Sequence, residues 1–249
     1  MILVTGPTGS GKTTTLYCAI QELNEPGVNI ITVEDPVEYQ LARVNQIQVK
    51  PEIGLTFADG LRSILRQDPD IILVGEIRDR ETATIAVQAS LTGHLVLSTL
   101  HTNDAAGAVA RMIHMGVEPF LLSSSLILSQ AQRIYRKLCP ICRRPRDLPH
   151  NILAANNLDP ADFAGATIFA SCGCAQCSYV GYAGRDAVME MLPVDDEIRE
   201  LILTDASAAR LRRLAVSKGM TTLRQAGVRC VRAGTTSIEE ILRVTSGDA

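Results

Sequence analysis

The run ILVTGPTGSGKTTTL, residues 2–16, constrains this chain more than any other stretch. A short apolar segment, Ile2–Thr5, leads into a glycine-rich loop, and the loop opens straight onto a helix-forming segment from Lys12 to about Leu23. Gly6, Pro7, Thr8, Gly9, Ser10, Gly11, Lys12 and Thr13 fill the pattern GxxxxGKT. A strand before and a helix after form the context in which that pattern binds a nucleotide rather than making an ordinary turn. The glycines let backbone N–H groups turn inward on phosphate oxygens, and the helix N-terminus adds its positive end. Lys12 is spaced to reach the β- and γ-phosphates, and the Thr13 hydroxyl to sit on Mg²⁺; Thr14 completes the expected nucleotide-binding set. ATP and Mg²⁺ are therefore the expected ligands.

Such a loop needs a buried parallel strand to carry it, and the rest of residues 1–138 has the matching rhythm. Strand-like segments are expected at 29–33, 70–74 and 95–99, with helices at 56–67 and 82–91 between them. Several of the strands are apolar on both faces, as in a parallel sheet covered by helices. Thr56 and Asp59 have capping-box spacing, and Pro69 stands just past the expected helix end. The pattern is that of a doubly wound α/β core. From Asp195 onward only short helices are expected: Ser207–Ser217, Thr221–Ala233, and a last one capped by Ser237 with Glu240.

The chemistry-bearing side chains collect at expected strand ends. Glu76 closes the strand Ile71–Val74, where a carboxylate can polarise an attacking water or hold a magnesium-bound one; the competing role is a simple ion pair with Arg78. Gly75 before it leaves room for a ligand. Glu34, Asp35 and Glu38 crowd the end of another strand, a costly arrangement unless a cation lies near or the turn is solvated. His94 and His101 flank a third strand, with Ser98, Thr99 and Thr102 close by and able to sense a γ-phosphate; a single histidine is as readily a structural residue. Arg62 and Arg66, four apart on one expected helix face, point away from the core with no acid of that helix placed to neutralise them. They suggest arginine fingers for a neighbour's nucleotide, against a solvated basic face.

Five of the seven cysteines lie between Cys139 and Cys177. Two CxxC pairs, Cys139 with Cys142 and Cys174 with Cys177, can give four thiolates to one tetrahedral Zn²⁺, a structural site with no open position. The 31 residues between the pairs exceed the ~15–20 of the commonest ribbon, so an inserted loop is required. Cys172 is a competing ligand, and a redox dithiol pair is the other reading. Arg133, Arg136, Lys137, Arg143, Arg144 and Arg146 surround this region and offer a basic strip to an anionic surface, or simply to solvent.

Net charge is −3 and aromatics are only 4%, with no tryptophan. Neither a basic field nor a base-stacking platform favours nucleic acid. No apolar run reaches the ~18 residues of a membrane span. The first strand has no lead-in and no targeting segment precedes it, so the chain is expected to be part of something longer.

Four motifs in one order, GPTGSGKT, VEDPVEY, GLTFADGLRSILRQDPDIILVGEIRD and TGHLVLSTLHTNDA, closely resemble the secretion ATPase superfamily, nearest its GspE/PilB branch of hexameric motors for type II secretion and type IV pilus assembly. The segment GCAQCSYVGYAGR is similar to the zinc-bearing element of the assembly motors. The resemblance runs from Met1 to about Leu192, and less specifically through the helical tail. It implies a RecA-like P-loop NTPase core at residues 1–138, a tetracysteine zinc element at 139–192 and a C-terminal helical subdomain at 193–249. It also implies Glu76 as catalytic carboxylate, Glu34 and Glu38 assisting, His94 and His101 as a His box, and Arg62 and Arg66 supplied to the active site. The implied setting is a homohexamer in the cytoplasm, peripheral at the inner membrane through platform and linker proteins, driving assembly of a pseudopilus or pilus. The family's N-terminal domain, which packs against the nucleotide from outside, has no counterpart in these residues. NDAAGAVARMIHMGVEPFLLSSSL leans toward type II secretion. Two other functions compete: a nucleic-acid-translocating RecA-like motor, and a nucleotide-binding structural ring component.

Overall fold

The computed structural model of the chain describes residues 1–246; residues 247–249, the end of the expected helical subdomain, lie outside them. The elements run β1 (Ile2–Thr5), α1 (Lys12–Leu23), β2 (Ile30–Glu34), β3 (Asn45–Gln48), α2 (Phe57–Ile64), β4 (Ile71–Val74), α3 (Arg80–Leu91), β5 (Leu95–Leu100), α4 (Ala105–His114), α5 (Pro119–Ser125) and β6 (Leu128–Leu138). They continue with β7 (Arg144–Pro145), α6 (His150–Ala155), β8 (Phe169–Ala170), β9 (Tyr182–Pro193), α7 (Asp196–Thr204), α8 (Ala208–Ser217), α9 (Leu223–Arg232) and α10 (Ile238–Val244).

The strand order is β3-β2-β4-β5-β1-β6-β9, with β7 and β8 forming a separate antiparallel pair. The first six strands are parallel throughout. In this order β1, the strand that carries the phosphate loop, has neighbours on both sides, β5 and β6. Its residues Leu3 and Val4 are buried, as are all four residues of β4, because helices α1 to α4 pack on the sheet and leave those strands no solvent face. Leu16, Tyr17 and Ile20 of α1 join Val4, Ile30, Leu73 and Leu97 in one core cluster. The phosphate-loop helix is thereby anchored on the sheet one turn beyond Lys12.

The chain divides into two compact units. One comprises residues 1–131 and 191–220, the other 132–190 and 221–249. The expected boundaries at 138/139 and 192/193 follow the sequence pattern and the resemblance, whereas the units follow packing: α7 and α8 belong with the nucleotide-type core, α7 lying against α5 and α8 against α4. Of the late helices, the last begins at its expected cap, Ser237; the one before it starts a residue later than expected, after Thr222, and Ser207 stands before α8 without a side-chain cap bond. Thr222 makes a capping box with Gln225, and Ser237 accepts from the Glu240 N–H. The Thr56–Asp59 box is present too, but α2 stops at Ile64 instead of reaching Gln67. Past Leu65 the chain turns, with Asp68 at φ 50° just before Pro69, since the residue before proline is driven out of helical geometry. Strand β3 carries no sequence signal because it lies at the sheet edge and its residues NQIQ are half-exposed.

Candidate active site

The loop from Gly6 to Gly11 leaves the carboxyl end of β1 and delivers Lys12 as the first residue of α1. Gly9 and Gly11 adopt φ of 78° and 85°, a region that favours glycine. Lys12 folds back over the loop, its Nζ donating to the Gly6 carbonyl at 2.8 Å and to that of Pro7 at 3.1 Å. The Thr102 N–H donates to Thr5 Oγ1 at 2.8 Å, which ties the end of β1 to the segment after β5.

A cleft of about 650 Å³ opens over this loop. Thr8, Gly9, Gly11, Lys12, Thr13 and Thr14 line it together with Glu34, Asp35, Glu38, Glu76 and His101. All come from the carboxyl ends of β1, β2, β4 and β5, where parallel α/β sheets bind their ligands. Of the expected nucleotide-binding set, Gly6, Pro7 and Ser10 do not line the cleft; Gly6 and Ser10 are buried and Pro7 is exposed.

Glu76 follows β4 with its side chain only 15% exposed. Arg78 Nη2 donates to Glu76 Oε1 at 2.5 Å, and His101 Nε2 stands 3.5 Å from Oε2. Burial raises the Glu76 pKa, but the bond and charge of Arg78, with His101 and Lys12 behind them, outweigh it and hold the carboxyl below its usual value. Thus Glu76 both faces the cleft and pairs with Arg78; the two roles read from the sequence are compatible. Gly75 does more than leave room. A Cβ there would stand 3.3 Å from Glu34 Cα and from the Val33 carbonyl, so glycine is what lets the ends of β4 and β2 close together. Asp35 is partly neutralised by Arg78 at 3.7 Å.

The two histidines separate. His101, past the carboxyl end of β5, lines the cleft. His94 precedes β5, its Nδ1 lying 2.8 Å from the Ala89 carbonyl and 3.0 Å from Thr92 Oγ1. A strand of this length is ~20 Å at ~3.3 Å per residue, so His94 closes the end of α3 at the opposite, amino end of β5. Ser98 and Thr99 donate to the Val74 and Gly75 carbonyls at 2.8 and 2.7 Å.

The expectation that Arg62 is un-neutralised within its helix does not hold. Asp59 stands 3.5 Å away, three residues earlier on α2, and Glu81 of α3 accepts a hydrogen bond from Arg62 Nη2. Arg66 lies beyond the end of α2, exposed, so the two arginines do not share a helical stripe. Neither lines this chain's own cleft.

In the second unit, Cys139, Cys142, Cys174 and Cys177 bring their Sγ atoms within 4.8 Å of one another. Individual separations of 4.0 Å (139 to 174), 3.8 Å (142 to 177) and 3.8 Å (174 to 177) match the ~3.8 Å edge of a tetrahedron with Zn–S of ~2.3 Å. Backbone N–H groups of Gly173, Cys174 and Gly181 point at the sulfurs, each 3.2 Å away. Burial raises the Cys177 thiol, yet the donors from Cys174 and Gly181 bring it down to about 6. Cys172 is exposed and outside the group. The chemistry and spacing of these donors fit a tetrahedral thiophilic ion.

Two side chains that sequence reasoning passed over also belong to the cleft region. Tyr17 is fully buried and donates to Glu34, and Gln46 Nε2 reaches Glu34 Oε1 at 3.1 Å. A tyrosine on the apolar face of α1 reads as core, and a glutamine on a polar edge strand reads as surface.

Fold and cleft together define a phosphate-loop α/β protein of the nucleotide-binding class. The family model described as "Type II/IV secretion system protein" matches residues 1–243, and the chain belongs to that family. It is 51% identical over 249 residues to the type IV pilus assembly ATPase PilB of Myxococcus xanthus (strain DK1622), covering 100% of this chain and 44% of that protein. It is 53% identical over 245 residues to type II secretion system protein E of Pseudomonas aeruginosa, covering 98% and 48%. The chain thus spans a little under half the length of the curated relatives it matches. Among solved structures, the pilus retraction motor PilT with bound ADP superposes with a TM-score of 0.71 at 32% identity, covering 98% of this chain and 60% of that one.

Proposed function

We propose that this chain is the ATP-hydrolysing part of a hexameric motor that drives pseudopilus assembly in type II secretion or pilus assembly in type IV pilus biogenesis. One observation carries the reading: Lys12 and Thr13 of the phosphate loop line a single cleft together with Glu76 and His101. In this reading the loop N–H groups and Lys12 hold the phosphates, and Thr13 is the magnesium ligand. Glu76, kept ionised by Arg78, accepts a proton from the attacking water, and His101 steers that carboxylate. Glu38 adds negative charge beside the metal. Arg62 and Arg66 serve the cleft of a neighbouring subunit, and His94 closes a helix end. Zn²⁺ in the tetracysteine cluster supplies structural crosslinking. Among the described residues no helix is long and apolar enough to cross a membrane, and we infer a cytoplasmic motor held at the inner membrane by platform and linker proteins.

The test is a pair of variants. Lys12→Ala is expected to abolish binding of a fluorescent ATP analogue. Glu76→Gln is expected to bind it normally and lose turnover by about 10²–10⁴-fold, the worth of a positioned general base. Parent-level hydrolysis by Glu76→Gln would sink the assignment.

A further inference from the structure

Glu34 and Glu38 flank the cleft alike in sequence, but their surroundings differ. Glu38 is exposed. Glu34 is the last residue of β2 and 2% exposed. Its Oε2 accepts from the Tyr17 hydroxyl, and its Oε1 from Thr32 Oγ1 at 2.5 Å and Gln46 Nε2 at 3.1 Å. An ionised carboxylate offers roughly four acceptor positions, and three here are taken by the protein. Glu76, by contrast, receives one hydrogen bond, from Arg78, and keeps its second oxygen toward His101.

The donors around Glu34 belong to three elements, and the parallel register explains why they meet. Thr32 and Glu34 share a face of β2, and Gln46 of β3 is the register partner of Thr32. Tyr17, one and a half turns past Lys12, covers that face from α1. Burial, then the bond to Glu34 and its charge, raise the Tyr17 pKa, so the phenol stays a donor. The network then reaches the loop after β2. Gln46 Nε2 also donates to the Tyr39 carbonyl at 3.2 Å, and Gln46 Oε1 accepts from the Leu41 N–H at 2.6 Å. The Tyr39 ring stands edge-on to the Tyr17 ring at 4.8 Å. The backbone is therefore held on both sides of residue 40, and the held loop is the one that presents Asp35, Pro36 and Glu38 to the cleft.

We propose that Glu34 is a positioning residue and that Tyr17, Glu34 and Gln46 form a clamp, which fixes the acidic loop 35–44 against the phosphate-loop helix. Glu34 does not act on water. This rests on the reading of the cleft as an ATP-hydrolysing site. Loss of the clamp, shifting Glu38 and Asp35 by about 1 Å, costs up to ~10²-fold in rate while leaving the phosphate loop intact.

The experiment uses Tyr17→Phe, Gln46→Ala, Glu34→Gln and the double variant Tyr17→Phe, Glu34→Gln in the full chain, with Glu76→Gln alongside. Folding is checked by thermal melting. Three quantities are read: analogue affinity, turnover at saturating ATP across pH, and amide hydrogen exchange of residues 35–44. The expected result is analogue affinity within about 3-fold of the parent, turnover down about 10-fold and at most ~10², and faster exchange confined to 35–44. The acidic limb of the pH profile should stay in place. The double variant should be no worse than the weaker single, since both break one unit. If Glu34→Gln loses as much turnover as Glu76→Gln with parent-like exchange in 35–44, Glu34 is chemical and the proposal falls. Parent-like exchange in Tyr17→Phe and Gln46→Ala also overturns it. Failure of the underlying reading looks different: Glu76→Gln then hydrolyses at the parent rate. The exchange measurement with bound analogue stands independently of turnover.

Discussion

Glu76 is held in its ionised form by a neighbour two residues away, and that makes its chemistry separable from its position. Burial alone would favour the neutral acid; Arg78 reverses the sign. In Arg78→Gln the burial remains and the guanidinium is gone, so the Glu76 pKa should rise. Activity that requires the carboxylate is lost as pH falls through that pKa. The parent limb is expected below the ordinary value of 4.5, and the variant limb should move to higher pH in a turnover profile. The same depression contributes folding stability that is present above 4.5 and lost as pH falls below it. An unmoved limb would mean that another charge controls Glu76.

At the level of elements, two small constructions hold the second unit. The knuckles around the four cysteines form a cluster in which no pair lies close in sequence to the other, so one lost thiolate should open the whole set. Cys174→Ser is expected to reduce bound zinc from one per chain to a small fraction by metal analysis, whereas Cys172→Ser keeps it, because Cys172 lies outside the group. The second construction is Glu240, whose side chain is 0% exposed at the start of α10. Burial would raise its pKa, but Arg243 and Arg136 each donate to it and bring it to about 2. Its contribution is therefore fully present above 4.5 and fades as pH falls toward about 2. Glu240→Gln should cost about 2–3 kcal/mol in denaturant unfolding at neutral pH, the scale of charge-assisted bonds lost from a buried group.

For the whole molecule the telling feature is an arginine paired at the surface, away from its own cleft. Arg62 is bound by Asp59 and Glu81 of its own chain and stands outside its own cleft. Both pairings are solvent-exposed ion pairs, weak enough (~0–1 kcal/mol) to be exchanged for a phosphate. If Arg62 and Arg66 serve a neighbour, turnover should rise with protein concentration, by a factor that reaches ~10³–10⁵ for fingers in related chemistry. Subunits carrying Arg62→Ala and Arg66→Ala, mixed with Glu76→Gln subunits, should regain activity that neither has alone, since some interfaces then pair an intact glutamate with intact arginines. Mixed assemblies that stay inactive would return the arginines to a role within their own chain.

The sequence by itself determined the phosphate loop, the helix caps and the tetracysteine set, because each is a local pattern whose geometry follows from neighbours a few residues apart. Gly6 to Thr13 lie on one turn of chain, Thr56 finds Asp59 three residues on, and a CxxC presents two sulfurs whatever surrounds it. It also marked Glu76, since a strand end beside a phosphate loop is topologically forced. Only the tertiary structure decided between residues that look alike in the chain. His94 and His101 flank the same strand, yet its length puts them at opposite ends of it. Glu34 and Glu38 sit in one acidic run, yet only Glu34 is enclosed by donors from α1, β2 and β3. The grouping of α7 and α8 with the core was equally hidden, because amphipathic helices state that they pack, and only their partners state where.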